Sequence, residues 1–441
     1  MEVCLTKHGE KVTLKTYLDM TYFSLAISFV EESATAFGLD ASDLIKLRLA
    51  CEEIFVYLSE SDQINKAITI EAENGVYYTG IKFLFDGRNF DPHAFNLTAN
   101  ISFDTEADLE QMGLIIASRS VEKLYMLHDA REGFGVGLIK EKSYPRVIKE
   151  GITPVKPLTH YSIISPDSET LKIFVRHTLS HYPNHLFPAD FFYPGKIADM
   201  VTSDRYHMLI ASDGQGTTAG GIVWRIAGGG MIEIYGPYLF NQPEEFHMAE
   251  ALVNHLLMAV AKTDAVCLVN VFATPELPKG YFELLGSLDF LLPDGEKQLW
   301  PFYYRYHKED PGSQVWAHPD LLPFLHETYK RLFFARNILQ TNYEGEKRPP
   351  HAVLFPRFDR SQNFVRLKAA WDGTDFPDIL GRHIQIFKTE NMLNILFEID
   401  LGHAWQANLA PALIEHHFVP KMILPYAGTG DIVFFQYTGE V

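Results

Sequence analysis

Two adjacent carboxylates, Glu52 and Glu53, stand in the middle of "RLACEEIFVYLSES" (Arg48 to Ser61), a stretch with the frame of a helix that walls a nucleotide pocket. A carboxylate within reach of a hydroxyl can take its proton as a general base. On a helix face open to water the same pair does no chemistry, and carboxylates are rarely buried unpaired. Other reactive residue types are quickly placed. His416 and His417 in "EHHF" are chain neighbours whose side chains diverge by roughly 100° on a helix, so they do not share a metal as an i, i+4 pair could. They read as surface or capping histidines, and no metal site is expected. "GQGTTAGG" (Gly214 to Gly221) is not followed by the Lys-Ser/Thr helix start of a phosphate-binding loop. "AGGG" (Ala227 to Gly230) reads as a hairpin turn. Cys267 lies in an apolar strand and reads as core.

The elements that must position these residues follow from periodicity. Tyr17, Phe23, Ile27 and Val30 recur at helical spacing, so residues 16–58 read as two helices. Gly38 can end the first and Asp40 or Ser42 can cap the second. Asn74-Gly75 marks a hairpin between two strand-like arms. "DLEQMGLIIASRSVEKLYML" reads as a helix running into a strand, and "GFGVGLIKEK" as a strand. The Pro- and Lys-rich "SYPRVIKEGITPVKPL" is a linker. From residue 158 a strand, two helices and three strands lead to the helix "EEFHMAEALVNHLLMAVAKT". Strand "AVCLVNVFAT", helix "GYFELLGSLDF" and strand "WPFYYRYHK" follow. After Pro311 and Gly312 a shorter succession of the same kind runs to the end. Alternating helices and strands predict α/β (α+β) sheets with helical faces. The expected divisions are 1–145, a linker at 146–157, 158–310 and 311–441.

Bulk properties exclude several classes. With 56 Asp+Glu against 38 Lys+Arg, the net charge of −18 is spread along the chain and leaves no basic stripe, so direct nucleic-acid binding is disfavoured. No apolar run approaches the ~20 residues of a membrane helix, so no membrane span is expected. Cys4, Cys51 and Cys267 lie far apart and form no disulfide framework. The N-terminus has no apolar signal core. A cytoplasmic location is expected.

The order helix, "EE" helix, hairpin, "DGRNFDP", "MGL" helix, strand over about residues 10–143 resembles the GHKL ATPases. More narrowly, it is similar to the bacterial anti-sigma-factor serine kinases. The resemblance implies a Bergerat-type α/β sandwich, with Glu53 as the base and Gly87, Asp91, Gly113 and Leu114 lining a nucleotide pocket. It also implies a protein partner of sigma-factor or anti-sigma-antagonist type. Three positions depart from the family pattern. The magnesium-holding asparagine falls on Tyr57, which lacks the amide oxygen a hard cation prefers. The adenine-binding aspartate falls on Phe85, which accepts no hydrogen bond. The phosphate-side glycine is Gln111, whose side chain occupies space the backbone needs. Mg·ATP binding is therefore expected to be impaired.

Residues 158–308 resemble the GNAT acyltransferase fold, and 317–441 resemble a shortened second copy. One or two GNAT-like mixed-sheet domains are thus expected. The fold implies an acetyl-CoA pyrophosphate at the start of the long helix, where backbone N–H groups receive an anion. In "YLFNQPEEFHMAEAL" a motif begun at Gln242 puts Glu245 and His247 at the glycine positions, and one begun at Glu244 puts His247 and Ala249 there; neither has a glycine, and Glu244 and Glu245 add negative charge. The fold further implies a base on the central strand, Glu233, and a tyrosine acid on its fourth helix, Tyr281. A small-molecule ligand is expected in the GNAT-like cleft. The combined expectation is a bacterial regulatory protein: an impaired kinase-like module for a protein partner, joined to ligand-sensing or acyl-transfer modules. An acyl-CoA-dependent N-acyltransferase with a regulatory GHKL domain is the first alternative. An active serine/threonine kinase that binds ATP is the second.

Overall fold

The computed structural model describes residues 9–60, 66–86, 95–96, 113–114, 116–129, 133–148, 154–292, 295–342, 345–359 and 362–439. The chain forms two compact units. The first comprises Met1–Tyr144 with Arg348–Arg357 and Ala369–Ile386; the second comprises Pro145–Lys347, Phe358–Lys368 and Phe387–Val441. Among the described residues no helix is long and apolar enough to cross a membrane.

The first unit runs β1 (Lys11–Tyr17), α1 (Phe23–Ala36), α2 (Ala41–Glu60), β2 (Ala67–Asn74), β3 (Tyr78–Phe85), β4 (Lys123–Asp129) and β5 (Gly133–Glu141). Its sheet has the order β1-β2-β3-β5-β4, with every ladder antiparallel. One face alternates Ile68, Ile70 and Ala72 with Ile81 and Phe83, and Val136 with Leu138, all buried. Onto it pack Ala26, Ile27, Val30 and Ala34 of α1 and Leu47, Ala50, Cys51, Ile54 and Leu58 of α2, each set at helical spacing. Gly38, at φ +83°, follows α1. The Asp40 carboxylate accepts from the Asp43 N–H at 2.8 Å and caps α2. Tyr17 departs from the expected helix: it ends β1 and is exposed. The hairpin forms where Asn74-Gly75 predicts it, but Val76 takes the left-handed conformation (φ 68°), held by its N–H on the Asn74 side-chain oxygen at 3.0 Å.

The second unit opens with β6 (Ser162–Ile164), α3 (Ser168–His181), α4 (Pro194–Thr202), β7 (His207–Ser212), β8 (Thr218–Gly228) and β9 (Met231–Leu239). It continues through α5 (Met248–Val260), β10 (Cys267–Phe272), β11 (Glu283–Leu291) and β12 (Lys297–Tyr306). The seven strands lie in the order β11-β12-β10-β9-β8-β7-β6, and β9 with β10 is the parallel pair. A parallel pair needs a crossover, and α5 provides it. Met248, Leu252, Val253, Leu256 and Val260 of α5 bury against Ile232, Ile234 and Leu268.

The run expected as a helix at "GYFELLGSLDF" is instead strand β11, paired antiparallel with β12. Its buried residues are Leu285, Leu288 and Phe290. A register shift between Leu284 and Gly286 resets the alternation. The bulge therefore produces the i, i+3 spacing that imitates a helix.

The rest of the chain holds β13 (Ser313–Ala317), α6 (Leu322–Leu332), β14 (Arg336–Gln340), β15 (Val353–Asp359), β16 (Phe364–Trp371), α7 (Phe376–Thr389) and β17 (Asn394–Asp400). It ends with α8 (Ala404–Ala407), α9 (Ala410–Glu415), β18 (Phe418–Leu424) and β19 (Ile432–Tyr437). β13 and β14 form a separate parallel pair. The other five strands take the order β15-β16-β17-β19-β18. Phe364–Lys368 runs parallel to Asn394–Glu398, and β19 is antiparallel to both β17 and β18. The order β16-β17-β19-β18 is that of β9-β10-β12-β11, each with a helix crossing over its parallel pair. Topologically, the tail repeats half of the larger sheet.

Two devices hold the second unit together. The β11 backbone is satisfied by side-chain amides: Asn394 exchanges hydrogen bonds with Leu291 at 2.8 and 3.0 Å, and Gln436 bonds both backbone groups of Asp289. These carboxamides blunt an edge that would otherwise be open. Arg336, with no side-chain exposure, contacts Asp431 at 2.7 Å and Asp310 at 2.9 Å. Tyr306 and Tyr426 donate to the same Asp310, holding its carboxyl down at about 2 despite burial.

Candidate functional site

In the first unit the carboxylate pair splits. Glu52 accepts from Arg48 at 2.7 Å and belongs to a surface cluster with Glu31. Glu53 is half-buried, and burial followed by the charge of Glu52 raises its carboxyl above the ordinary range. Gly113 lies against it: a Cβ there would overlap the Glu53 carboxylate. Leu114 is buried. The two aromatic replacements are packed. Phe85 is 5% exposed, its ring 5.5 Å from Phe134, which lies 5.5 Å from Trp371. Tyr57 meets Phe95 edge-on at 5.6 Å. Gly87, Asp91 and Gln111 lie outside the described residues.

In the second unit, the residues matched to an acyl-CoA site fall on opposite faces of the sheet. Strand side chains alternate, so Ile232 and Ile234 face α5 while Glu233 faces away. Tyr281 packs on the α5 side and its hydroxyl accepts from Asn254 at 3.1 Å. It precedes β11 rather than riding a helix. Glu233 is buried, with Arg225 Nε donating at 2.5 Å and the Tyr235 hydroxyl at 2.8 Å. Burial would raise this carboxyl, but the Arg225 charge and both hydrogen bonds hold it below the ordinary range. A carboxylate so held is a counter-ion, whereas a base at neutral pH is tuned upward.

The turn into α5 is likewise committed. The Gln242 side-chain oxygen accepts from the Leu158 N–H at 2.9 Å, and its nitrogen donates to Phe240 O at 2.7 Å and Lys156 O at 3.3 Å. Glu244 and Glu245 occupy a single 3-10 turn. His247 follows at φ 49°, exposed, and Ala249 is half-buried. Towards the end of the parallel ladder Asn270 Nδ2 donates to Gly236 O at 2.6 Å, and beyond it Thr274 Oγ1 donates to Pro237 O at 2.5 Å. These bonds close the end of the β9/β10 fork. Asn270 Oδ1 is buried there without a protein partner among the described residues. An asparagine interrupting the apolar run "CLVNVF" was the available signal for this position.

A separate cleft of ≈ 400 Å³ opens in this unit between residues 154–158, α3 and the β7–β8 turn. Leu158 and Ile173 give it an apolar lining, and Lys156, Asp213, His177 and Thr218 its polar groups. Asp213 accepts from the N–H groups of Gln215 at 2.8 Å and Thr217 at 3.0 Å. Burial, then the neighbouring His181, lowers His177 and keeps it neutral. Periodicity did not single out these residues, because they come from three elements.

No protein-family model matches the chain, and no curated protein matches it. Among solved structures it is similar to several acetyltransferases of the GNAT group. A phosphinothricin acetyltransferase from Sinorhizobium meliloti, solved with acetyl-CoA, is 16% identical, with 34% of this chain and 89% of that chain covered at a TM-score of 0.28. An acetyltransferase from Acinetobacter baylyi is 13% identical, with 33% and 93% covered at 0.29. The aminoglycoside 6'-N-acetyltransferase from Enterococcus faecium is 14% identical, with 34% and 99% covered at 0.25.

Proposed function

We propose that this chain is a regulatory protein that binds a small ligand on a tandem GNAT-like scaffold (158–310 and 311–441) without transferring an acyl group. Its N-terminal module (1–145), of the GHKL anti-sigma type, meets a protein partner. The observation that carries this reading is the turn into α5. A diphosphate needs free N–H groups there, whereas Gln242 is spent on neighbouring backbone and two glutamates add negative charge. Those acids suit the helix start as dipole partners. Packing of Phe85 and Tyr57 into aromatic contacts supports a module that keeps its shape without Mg·ATP. Exposed Tyr17, Met20, Tyr22 and Leu25, close together in sequence, support a protein-binding role, since exposed apolar groups favour association.

A second reading, acyl transfer, is favoured by one observation: the orphan Asn270 oxygen at the fork could accept an amide N–H of an entering acyl-CoA arm. A thermal-shift panel separates the two, because a ligand that binds only the native state raises the midpoint. Acetyl-CoA, CoA, ADP and Mg·ATP are expected to leave it unchanged. An acetyl-CoA shift abolished by Asn270→Ala replaces the proposal with acyl transfer. A magnesium-dependent ATP shift favours the kinase alternative for the first unit.

A further inference from the structure

We propose that the cleft between residues 154–158, α3 and the β7–β8 turn binds a small zwitterion of amino-acid size. This rests on the ligand-binding reading above and names the site and the ligand class. The cavity, at ≈ 400 Å³, lies in the range of small-molecule sites. Two polar atoms at its wall are buried without a protein partner among the described residues: Thr218 Oγ1 and His177 Nδ1. Thr218 is 1% exposed, so its hydroxyl has lost bulk water and gained nothing in return. Buried polar groups are satisfied in nearly all native structures; both side chains belong to residues that line the cleft, and a ligand seated there meets these atoms once the side chains turn towards it.

The charges choose the class. Lys156 and Asp213 bring opposite charges to the lining from two different elements, and Leu158 and Ile173 add apolar side chains to it. Hydrogen bonds from the Thr217 side chain and from backbone N–H groups favour the ionised form of Asp213 and lower its carboxyl. A ligand carrying both an anionic and a cationic end pairs with both; a simple acid or amine leaves one charge unanswered. Thr218 and neutral His177 supply uncharged hydrogen bonds, and the apolar groups receive a side chain.

The test screens the full chain by thermal shift against the twenty protein amino acids. For each hit, the matching decarboxylated amine and deaminated acid are added, with acetyl-CoA as a parallel arm. At least one amino acid is expected to raise the midpoint by several degrees when present at about 100 times its Kd. Thr218→Val should weaken that ligand about tenfold. Lys156→Met and Asp213→Asn should each abolish the preference for the zwitterion over the amine or the acid. Circular dichroism and the ligand-free midpoint check that each variant folds. Silence of all twenty amino acids overturns the proposal. So does a hit unaffected by Thr218→Val and Lys156→Met, or equal binding of the lone amine or acid. Those results leave the non-acylating reading standing, whereas an acetyl-CoA shift contradicts that reading without touching the cleft.

Discussion

Arg225 and Glu233 face each other as Cα partners across the β8–β9 ladder, with Nε 2.5 Å from Oε2. Both side chains are largely withdrawn from water, and Tyr235 completes the carboxylate's hydrogen bonds. The pair thus occupies the strand position where an acyl-transfer reading looks for a base.

Removing one partner of such a pair leaves the other charged and buried. Glu233→Gln is expected to destabilise the protein by about 3–5 kcal/mol in urea unfolding, while the double change Arg225→Met, Glu233→Leu costs far less. The native Glu233 carboxyl is lowered, so its contribution is complete above the unfolded value of about 4.3 and is lost as pH falls below it. A stable Glu233→Gln that loses only catalytic turnover would instead make this residue a base.

Phe85 is a core residue at the position where the GHKL-like reading of the sequence expects an adenine-binding aspartate. Phe85→Ala should cost about 3–5 kcal/mol, the range of large-to-small aromatic changes in cores. A loss below about 1 kcal/mol would mean that the ring lines an open pocket rather than the core.

His383, on α7, has no solvent exposure, and its Nδ1 lies 2.9 Å from Ile379 O. Burial depresses it from 6.5 to about 4. The neutral ring is favoured in the fold, so this contribution is present above pH 6.5 and is lost as pH falls from 6.5 towards 4, amounting to roughly 3 kcal/mol. His383→Leu should flatten that segment of the stability–pH profile. An unchanged slope would show that His383 protonates freely in the folded state.

Legibility in the sequence followed the strength of periodicity. α5 and α7 present wide apolar stripes, and the Asp40 cap and the Asn74-Gly75 hairpin are local signals that tertiary context did not override. β11 carries a helix-like pattern because its bulge spaces Leu285 and Leu288 like helix neighbours. β1 escaped because its side chains are mostly exposed, which weakens alternation. Fold analogy pairs Glu233 with Tyr281, yet strand alternation turns Glu233 away from α5 while Tyr281, ahead of β11, packs on the α5 side. The cleft was not legible because Lys156, His177, Asp213 and Thr218 meet only through the tertiary fold.

Titration calorimetry of the full chain with acetyl-CoA tests the central claim most directly. The closed β9/β10 fork and the acidic turn into α5 predict no binding heat at millimolar ligand. A dissociation constant in the micromolar range, with release of free CoA thiol when an amine acceptor is added, would contradict it.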